Sequence, residues 1–350
     1  MSPSLGQNSA EPMATIHTTR NSVAGFFSER LGISSGLALT RDEIVGHLEP
    51  GPVADIISTE DNGLISISSA DIHDSFQIAL HRLGVIPTKF VGDALTILGL
   101  KYAKDVEHHE KLSLVLDLVV ESVPQIGTEG LGPSFVDADF LDLVQARLGI
   151  PSVAVAAEYL ALQRASERAN PWLWEQTSGD NWKRLLCLGD LFHSESLCKE
   201  GGRFIDQRFI DYLVPNFERI GEIHWRQFEA LSAEYFQRGG YNVSLGEGRN
   251  DGGVDVRAWK EDENGTPCTI LVQCKRQKAK VGKVVVKALY ADVLDENATS
   301  GMLVTTSSLE PGAQSVCTQR GYPISVTDRV KLREWINAMR TPGRGAELST

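Results

Sequence analysis

The sequence predicts two domains of different class. Residues 21–200 read as a mainly α-helical N-terminal domain, and residues 221–340 as a compact C-terminal α/β domain with a mixed central sheet flanked by helices. Three observations carry this expectation. The chain has 350 residues, against an ordinary domain of about 150. Apolar residues recur at helical spacing up to about Cys198, and beyond it short period-two runs alternate with helical ones. The charge is split as well: the net value is −12, yet from Phe217 onward 18 Lys/Arg face 17 Asp/Glu, while the first 216 residues hold 16 and 29.

Taken in order, residues 1–20 are polar, contain Pro3 and Pro12 and lack periodicity, which predicts a disordered leader. Within Tyr102 to Val123, the residues Leu112, Val115, Leu116 and Val119 form a helical stripe that Pro124 ends. Asp137 is expected to cap a helix reaching Arg147, closed by Gly149 and Pro151. Ser152 is expected to cap the next, with Val153, Ala157, Leu160 and Leu162 facing inward. A helix over 204–213 lies in a connecting segment, 201–220. The second domain then reads as helix 224–238, strands 241–245, 253–259 and 268–275, helix 282–294, strand 300–306, helix 312–320, strand 323–327 and a helix to Met339. Residues 341–350 are expected to fray.

Hydrophobic residues make up 42% and charged residues 23%, which excludes a wholly disordered or fibrous chain. Mean hydropathy is −0.14. The longest apolar candidate, Leu112 to Val120, is interrupted by Asp117 and falls far short of the roughly 20 residues that span a bilayer. The opening MSPSLGQNSAEP has neither a basic nor an apolar signal region. The five cysteines form no CxxC pair and read as free thiols of a reducing compartment, so the expected location is the cytoplasm.

The chemistry concentrates in DGGVDV (Asp251 to Val256) and LVQCKR (Leu271 to Arg276). The Asn264-Gly265 pair between them is a hairpin signal. Period two then sets Gln273 and Lys275 on one side of their strand, and the hairpin brings Asp255 to that side. On the preceding helix Glu229 falls at about 40° from Trp225, beside the apolar arc of Phe228, Ser232 and Phe236. A buried carboxylate needs a partner. A cation shared with Asp255 is one, and an arginine or the edge of the core is the plainer alternative.

Phosphodiester hydrolysis explains such a gathering. A hard divalent cation prefers oxygen ligands, polarises a phosphate and activates a water. A neighbouring ammonium offsets developing negative charge. Asp255 and Glu229 suit the ligand role, with the Cys274 backbone carbonyl as another oxygen, and Lys275 suits the second role. Asp251 is a further acidic candidate, but reads mainly as part of a turn. Directly afterwards Lys275, Arg276, Lys278, Lys280, Lys283 and Lys287 occur within thirteen residues that contain no acid. A charge run is usually a solvated face. Beside a metal site it suits contact with a phosphate backbone, which positions a duplex without reading its sequence.

The succession WRQFEALSAEYFQRGGYNV, NDGGVDV, ILVQCKR and GMLVTTSS, followed by a helix containing Ala313, resembles the Mrr-like restriction endonuclease domain of the PD-(D/E)xK nuclease superfamily, over about residues 221–337. The resemblance implies cleavage of DNA dependent on Mg²⁺, with Mn²⁺ as a possible substitute. It places Glu229, Asp255, Gln273 and Lys275 at active-site positions and suggests a role in restriction or anti-phage defence. Many superfamily members carry an acid where Gln273 stands, so the site has one negative charge fewer. Thr305 and Thr306 also match the family's strand, with sheet packing as their expected role. The alternatives are a nuclease for branched DNA or RNA, and a non-catalytic DNA-binding module.

The resemblance does not reach the first 200 residues. Trp172, Trp174 and Trp182 are close together there; base stacking is one use for them, burial in a core the commoner one. His108 and His109 lack metal-ligand spacing and read as a solvated helix face. The surplus acid of this half would repel DNA at long range, so recognition of a protein partner or activator, oligomerisation, or restraint of the second domain stands at least level with DNA reading. Cutting two strands calls for two sites or two visits, which favours a homo-oligomer.

Overall fold

The change of apolar period near residue 200 corresponds to a change of architecture. The computed structural model describes residues 14–122, 137–172, 184–197, 202–248, 253–261, 265, 267–319 and 321–340. The chain forms two compact units, Met1–Ser34 with Thr40–His81 and Ile86–Asp180, and Ser35–Leu39 with Arg82–Val85 and Asn181–Thr350.

The elements up to residue 170 are β1 (Thr15–Thr19), α1 (Arg20–Ser35), β2 (Leu37–Ala38), α2 (Arg41–Gly46), α3 (Pro52–Ser58), β3 (Leu64–Ser68), α4 (Ser69–Arg82), α5 (Ala94–Lys101), α6 (Val106–Ser122), α7 (Asp137–Leu148) and α8 (Ile150–Ala169). Helices dominate, as the sequence predicts. The end of the expected leader is a correction: residues 15–19 form β1, paired antiparallel with β3, and Arg20 already opens α1. The run Thr-Ile-His-Thr-Thr is rich in β-branched residues and is too short to show a period. Residues 1–13 and 341–350 lie outside the described residues.

Leu112, Val115 and Val119 of α6 are buried, with Leu116 packed against them, in a core shared with α5, α7 and α8. The start of α8 differs from expectation. Gly149 is its cap and Pro151 lies in the first turn, where proline's missing N–H costs nothing, while Ser152 is buried and hydrogen-bonds back to the Leu148 carbonyl. Leu160 is buried and Val153 and Leu162 pack against the core as expected, but the buried face is completed by Val155, Ala156 and Tyr159, and Ala157 is exposed. Trp172 is half-exposed, its ring 5.4 Å from that of Phe26; Trp174 and Trp182 lie outside the described residues. His108 pairs with Asp105 at 2.8 Å and stacks on Tyr102. No described helix is long and apolar enough to cross a membrane.

The second unit contains β4 (Leu186–Cys187), α9 (Asp190–His193), α10 (Gln207–Leu213), a 3₁₀ turn (Phe217–Gly221), α11 (Trp225–Arg238), β5 (Asn242–Leu245), β6 (Val256–Glu261), β7 (Pro267–Lys275), α12 (Lys283–Asp295), β8 (Ser300–Thr305), α13 (Pro311–Gln319), β9 (Ile324–Thr327) and α14 (Arg329–Met339). β2 pairs with β4 in parallel. The main sheet has the order β5-β6-β7-β8-β9, antiparallel from β5 to β7 and parallel from β7 to β9. The expected hairpin forms, with Val256 opposite Val272 and Glu261 opposite Pro267. α12 and α13 supply the crossovers that parallel neighbours require.

Period two sorts the sheet's faces. Leu271 and Leu303 pack with Val286, Leu289 and Val293 of α12 and with Ala313 and Val316 of α13. The opposite face, with Val256, Ala258 and Val272 all fully buried, packs against α11. This three-layer arrangement is the expected mixed sheet flanked by helices. One boundary matters for chemistry: β6 begins at Val256, so Asp255 stands just before the strand, held to β7 by its N–H donating to the Val272 carbonyl at 2.9 Å.

Candidate active site

The buried end of α11, the approach to β6 and the C-terminal end of β7 meet in one place. His224 caps α11, its Nδ1 accepting from the Arg226 N–H. One turn further on, Glu229 is 6% exposed. Its Oε2 accepts from Arg226 Nη1 at 2.9 Å, and its other neighbour is the Asp255 carboxyl, with which it shares a hydrogen bond. The Glu229 pKa is pushed up to about 7, chiefly by burial and further by Asp255; Arg226 pulls the other way and does not prevail. The two carboxyls and the Arg226 guanidinium meet here.

Asp255 is oriented from β7. Its Oδ2 accepts the Cys274 N–H at 2.6 Å. The Cys274 thiol donates to Ser232 Oγ on α11 at 3.3 Å, and burial, with Asp255 next in importance, pushes its pKa well up. The strand thus uses the main chain of Cys274 to hold the acid and its side chain to hold the helix.

Gln273 follows Val272, the residue that pairs with Val256 in the hairpin register. It is 5% exposed and donates Nε2 to the Gly253 carbonyl at 2.9 Å. That bond fixes the amide's orientation and leaves Oε1 buried with no hydrogen-bond partner among the described residues. Gly253 has φ +95°, and a Cβ there would come within 3.1 Å of the Gln273 amide nitrogen. The glycine before Val254 is therefore needed for the turn and for the approach to Gln273. Asp251 lies outside the described residues.

Lys275 ends β7 and pairs with Thr305. Its carbonyl accepts from Thr305 Oγ1 at 2.8 Å and from the Thr306 N–H. No described side chain forms a hydrogen bond or ion pair with its ammonium. Thr305 and Thr306 are buried and spend their hydroxyls on the main chain of Lys275 and Gln277, the sheet role the sequence suggests.

The basic segment is displayed from a pinned loop. Thr306 Oγ1 receives the Gln277 N–H, Ser307 Oγ donates to the Lys278 carbonyl, and buried Val281 bridges to Leu309. Lys278, Lys280, Lys283 and Lys287 are exposed and form no ion pair among the described residues. Lys283 and Lys287 stack at i, i+4, with Gly282 capping α12. Arg276 differs, since its Nη1 reaches the Gly221 carbonyl at 3.3 Å.

The donor set fits a hard divalent cation. Glu229 and Asp255 supply anionic oxygens, and the orphaned Gln273 Oε1 supplies a neutral one. A buried amide oxygen without a donor is a cost that a cation would remove. Among the described residues no group of three or more His, Cys, Asp and Glu side chains could hold a metal, so the set depends on the amide and on main-chain oxygen. The arginine that the sequence offered as a plainer partner for Glu229 is present and is Arg226, which sequence reasoning did not single out; the Cys274–Ser232 contact it missed. The signal for Arg226 was a basic residue three positions before a buried acid.

Residues 220–336 match the Mrr_cat family, described as restriction endonuclease. The second unit therefore carries a restriction endonuclease-like nuclease domain. Among solved structures, the chain is similar to the DNA modification-dependent restriction endonuclease AspBHI (20% identity, 34% of this chain and 32% of that one, TM-score 0.29). It is also similar to the MspJI restriction endonuclease in complex with a 27-mer oligonucleotide (17% identity, 53% and 46% covered, TM-score 0.28). The chain thus spans less than half the length of either. A search of curated proteins returned no match.

Proposed function

We propose that the protein is a metal-dependent DNA endonuclease that hydrolyses phosphodiester bonds in restriction or anti-phage defence. The reading takes Mg²⁺, or Mn²⁺ in its place, as the cofactor and the cytoplasm as the location. The first unit acts as a sensor or specificity module, and a homo-oligomer cuts the two strands. The observation that carries the reading is that buried Glu229 meets the half-buried Asp255 carboxyl at the approach to β6, while the strand paired with β6 holds the unpartnered Gln273 oxygen.

Each residue then has a task. Glu229, Asp255 and Gln273 Oε1 would hold the divalent cation, which when bound would supply charge for the scissile phosphate and lower the pKa of water. The Cys274 N–H keeps Asp255 aimed. Lys275 offsets the negative charge that develops on the phosphorus oxygens. Lys278, Lys280, Lys283 and Lys287 hold the phosphate backbone through charge, independently of sequence.

The test is plasmid DNA incubated with Mg²⁺, Mn²⁺ or EDTA, comparing wild type with Asp255→Ala and Lys275→Ala. Metal-dependent nicking or cutting is expected from wild type alone, with DNA binding kept by both variants. Unchanged cutting by both variants would overturn the assignment. Parallel assays on junction DNA and RNA set the substrate class.

A further inference from the structure

The Arg226–Glu229 pair is not explained by the helix that carries it. Arg226 stands in the first turn of α11, where the helix dipole disfavours a cation, and the first turn holds no acid. An arginine three residues before its acid also reverses the order that favours a pair along a helix. Arg226 is nevertheless held firmly. Its side chain is 16% exposed, and that of Glu229 is 8% exposed. The loop after β5 closes over it at Gly248, whose φ is +87°; a Cβ there would lie 3.1 Å from Arg226 Nη1 and 2.9 Å from the Trp225 ring. A largely covered cation has thus been placed on a carboxylate that the helix alone would have left without it.

The charge count gives the reason. Without a metal ion, the carboxyls of Glu229 and Asp255 face one guanidinium and, at the end of β7, one ammonium. We propose that Arg226 is the resident counter-ion of Glu229, a positioning residue that lets two acids stand together in the metal-free protein and competes with a divalent cation for the carboxylate. The inference rests on reading Glu229 and Asp255 as a metal site, and adds that the affinity of that site is held down by Arg226.

The experiment is Mn²⁺ binding to the full-length protein by titration calorimetry at pH 8.5, which needs no turnover. The variants are Arg226→Met, Arg226→Lys, Glu229→Gln and the Arg226→Met/Glu229→Gln double variant, with circular dichroism to establish folding. Arg226→Met is expected to bind Mn²⁺ at least about fivefold tighter than wild type. Arg226→Lys keeps the charge and stays close to wild type. In the Glu229→Gln background the Arg226→Met change has no effect, because the guanidinium acts through that carboxylate. Binding to Arg226→Met that equals or falls below wild type overturns the inference, as does a gain that persists with Glu229→Gln. Should Arg226→Met fail to fold, Arg226→Gln takes its place under the same criteria. Wild type that binds no Mn²⁺ overturns the metal-site reading itself, and the inference with it.

Discussion

Two glutamates on α11, Glu229 and Glu234, are equally buried and differently used. Glu234 is 2% exposed and every bond it makes is architectural. Its Oε1 meets Arg238 Nε at 2.7 Å, and its Oε2 accepts the Phe204 N–H. Arg238 in turn donates to the Met339 carbonyl and to Gln207 Oε1, joining α10, α11 and the end of α14. The acid precedes the arginine and the arginine lies in the last turn, the arrangement helix electrostatics favour. Glu229 reverses each point: its arginine comes first, at the wrong end of the helix, and its second neighbour is another acid. Burial of a carboxylate therefore does not identify a site. A buried carboxylate facing a second one is the stronger pointer.

The comparison is broken most directly by exchanging outcomes. Glu234→Ala strips Arg238 and the Phe204 amide of their buried partner and is expected to cost about 3–5 kcal/mol in denaturant unfolding. Glu229→Gln is expected to leave metal-free stability at pH 8 unchanged or raised while abolishing plasmid cutting. A Glu229→Gln variant as unstable as Glu234→Ala would make both glutamates structural.

Stability against pH sharpens the contrast. The folded Glu229 pKa of about 7 stands above the ordinary 4.5, so between those values the native state binds more protons than the unfolded one. The stability linked to Glu229 is then fully present below about pH 4.5 and lost as pH rises through 7. Metal-free wild type should show this decline in urea midpoints relative to Glu229→Gln, and a parallel pair of profiles would remove the shift. Smaller again, Lys283→Gln and Lys287→Gln should each lower the slope of log binding constant against log salt by about 1 for duplex DNA. Slopes unchanged in both would take α12 out of the interface. The least effect is expected from Thr305→Val, about 1 kcal/mol for the lost bond to the Lys275 carbonyl.

Much of the second unit was legible because its elements announce themselves locally. Alternation in LVQCKR, the Asn264-Gly265 turn and the stripe on α11 each name an element, and the hairpin converts them into a register. Asp255, Gln273 and Lys275 follow from that register, and Glu229 from its place at the margin of an apolar arc. Arg226 was hard to single out because a charged residue in a first turn looks like surface; the Gly248 loop, brought in by the fold, is what covers it. The β2–β4 pair escaped for another reason. It joins two residues to two others about 150 positions away, and no local pattern encodes such a pairing.

β7 is the strand at which the sheet changes from antiparallel to parallel, and three consecutive positions on it serve three purposes. Gln273 offers an oxygen, Cys274 grips the acid and the helix, and Lys275 carries the positive charge. Because neighbouring positions on a strand face opposite ways, a slip of a single residue would deliver sulfur where the ammonium stands and carry the amide to the other face of the sheet. The β6–β7 register is thus a setting screw for the site: a shift of one residue would leave the layers standing and still misplace all three side chains.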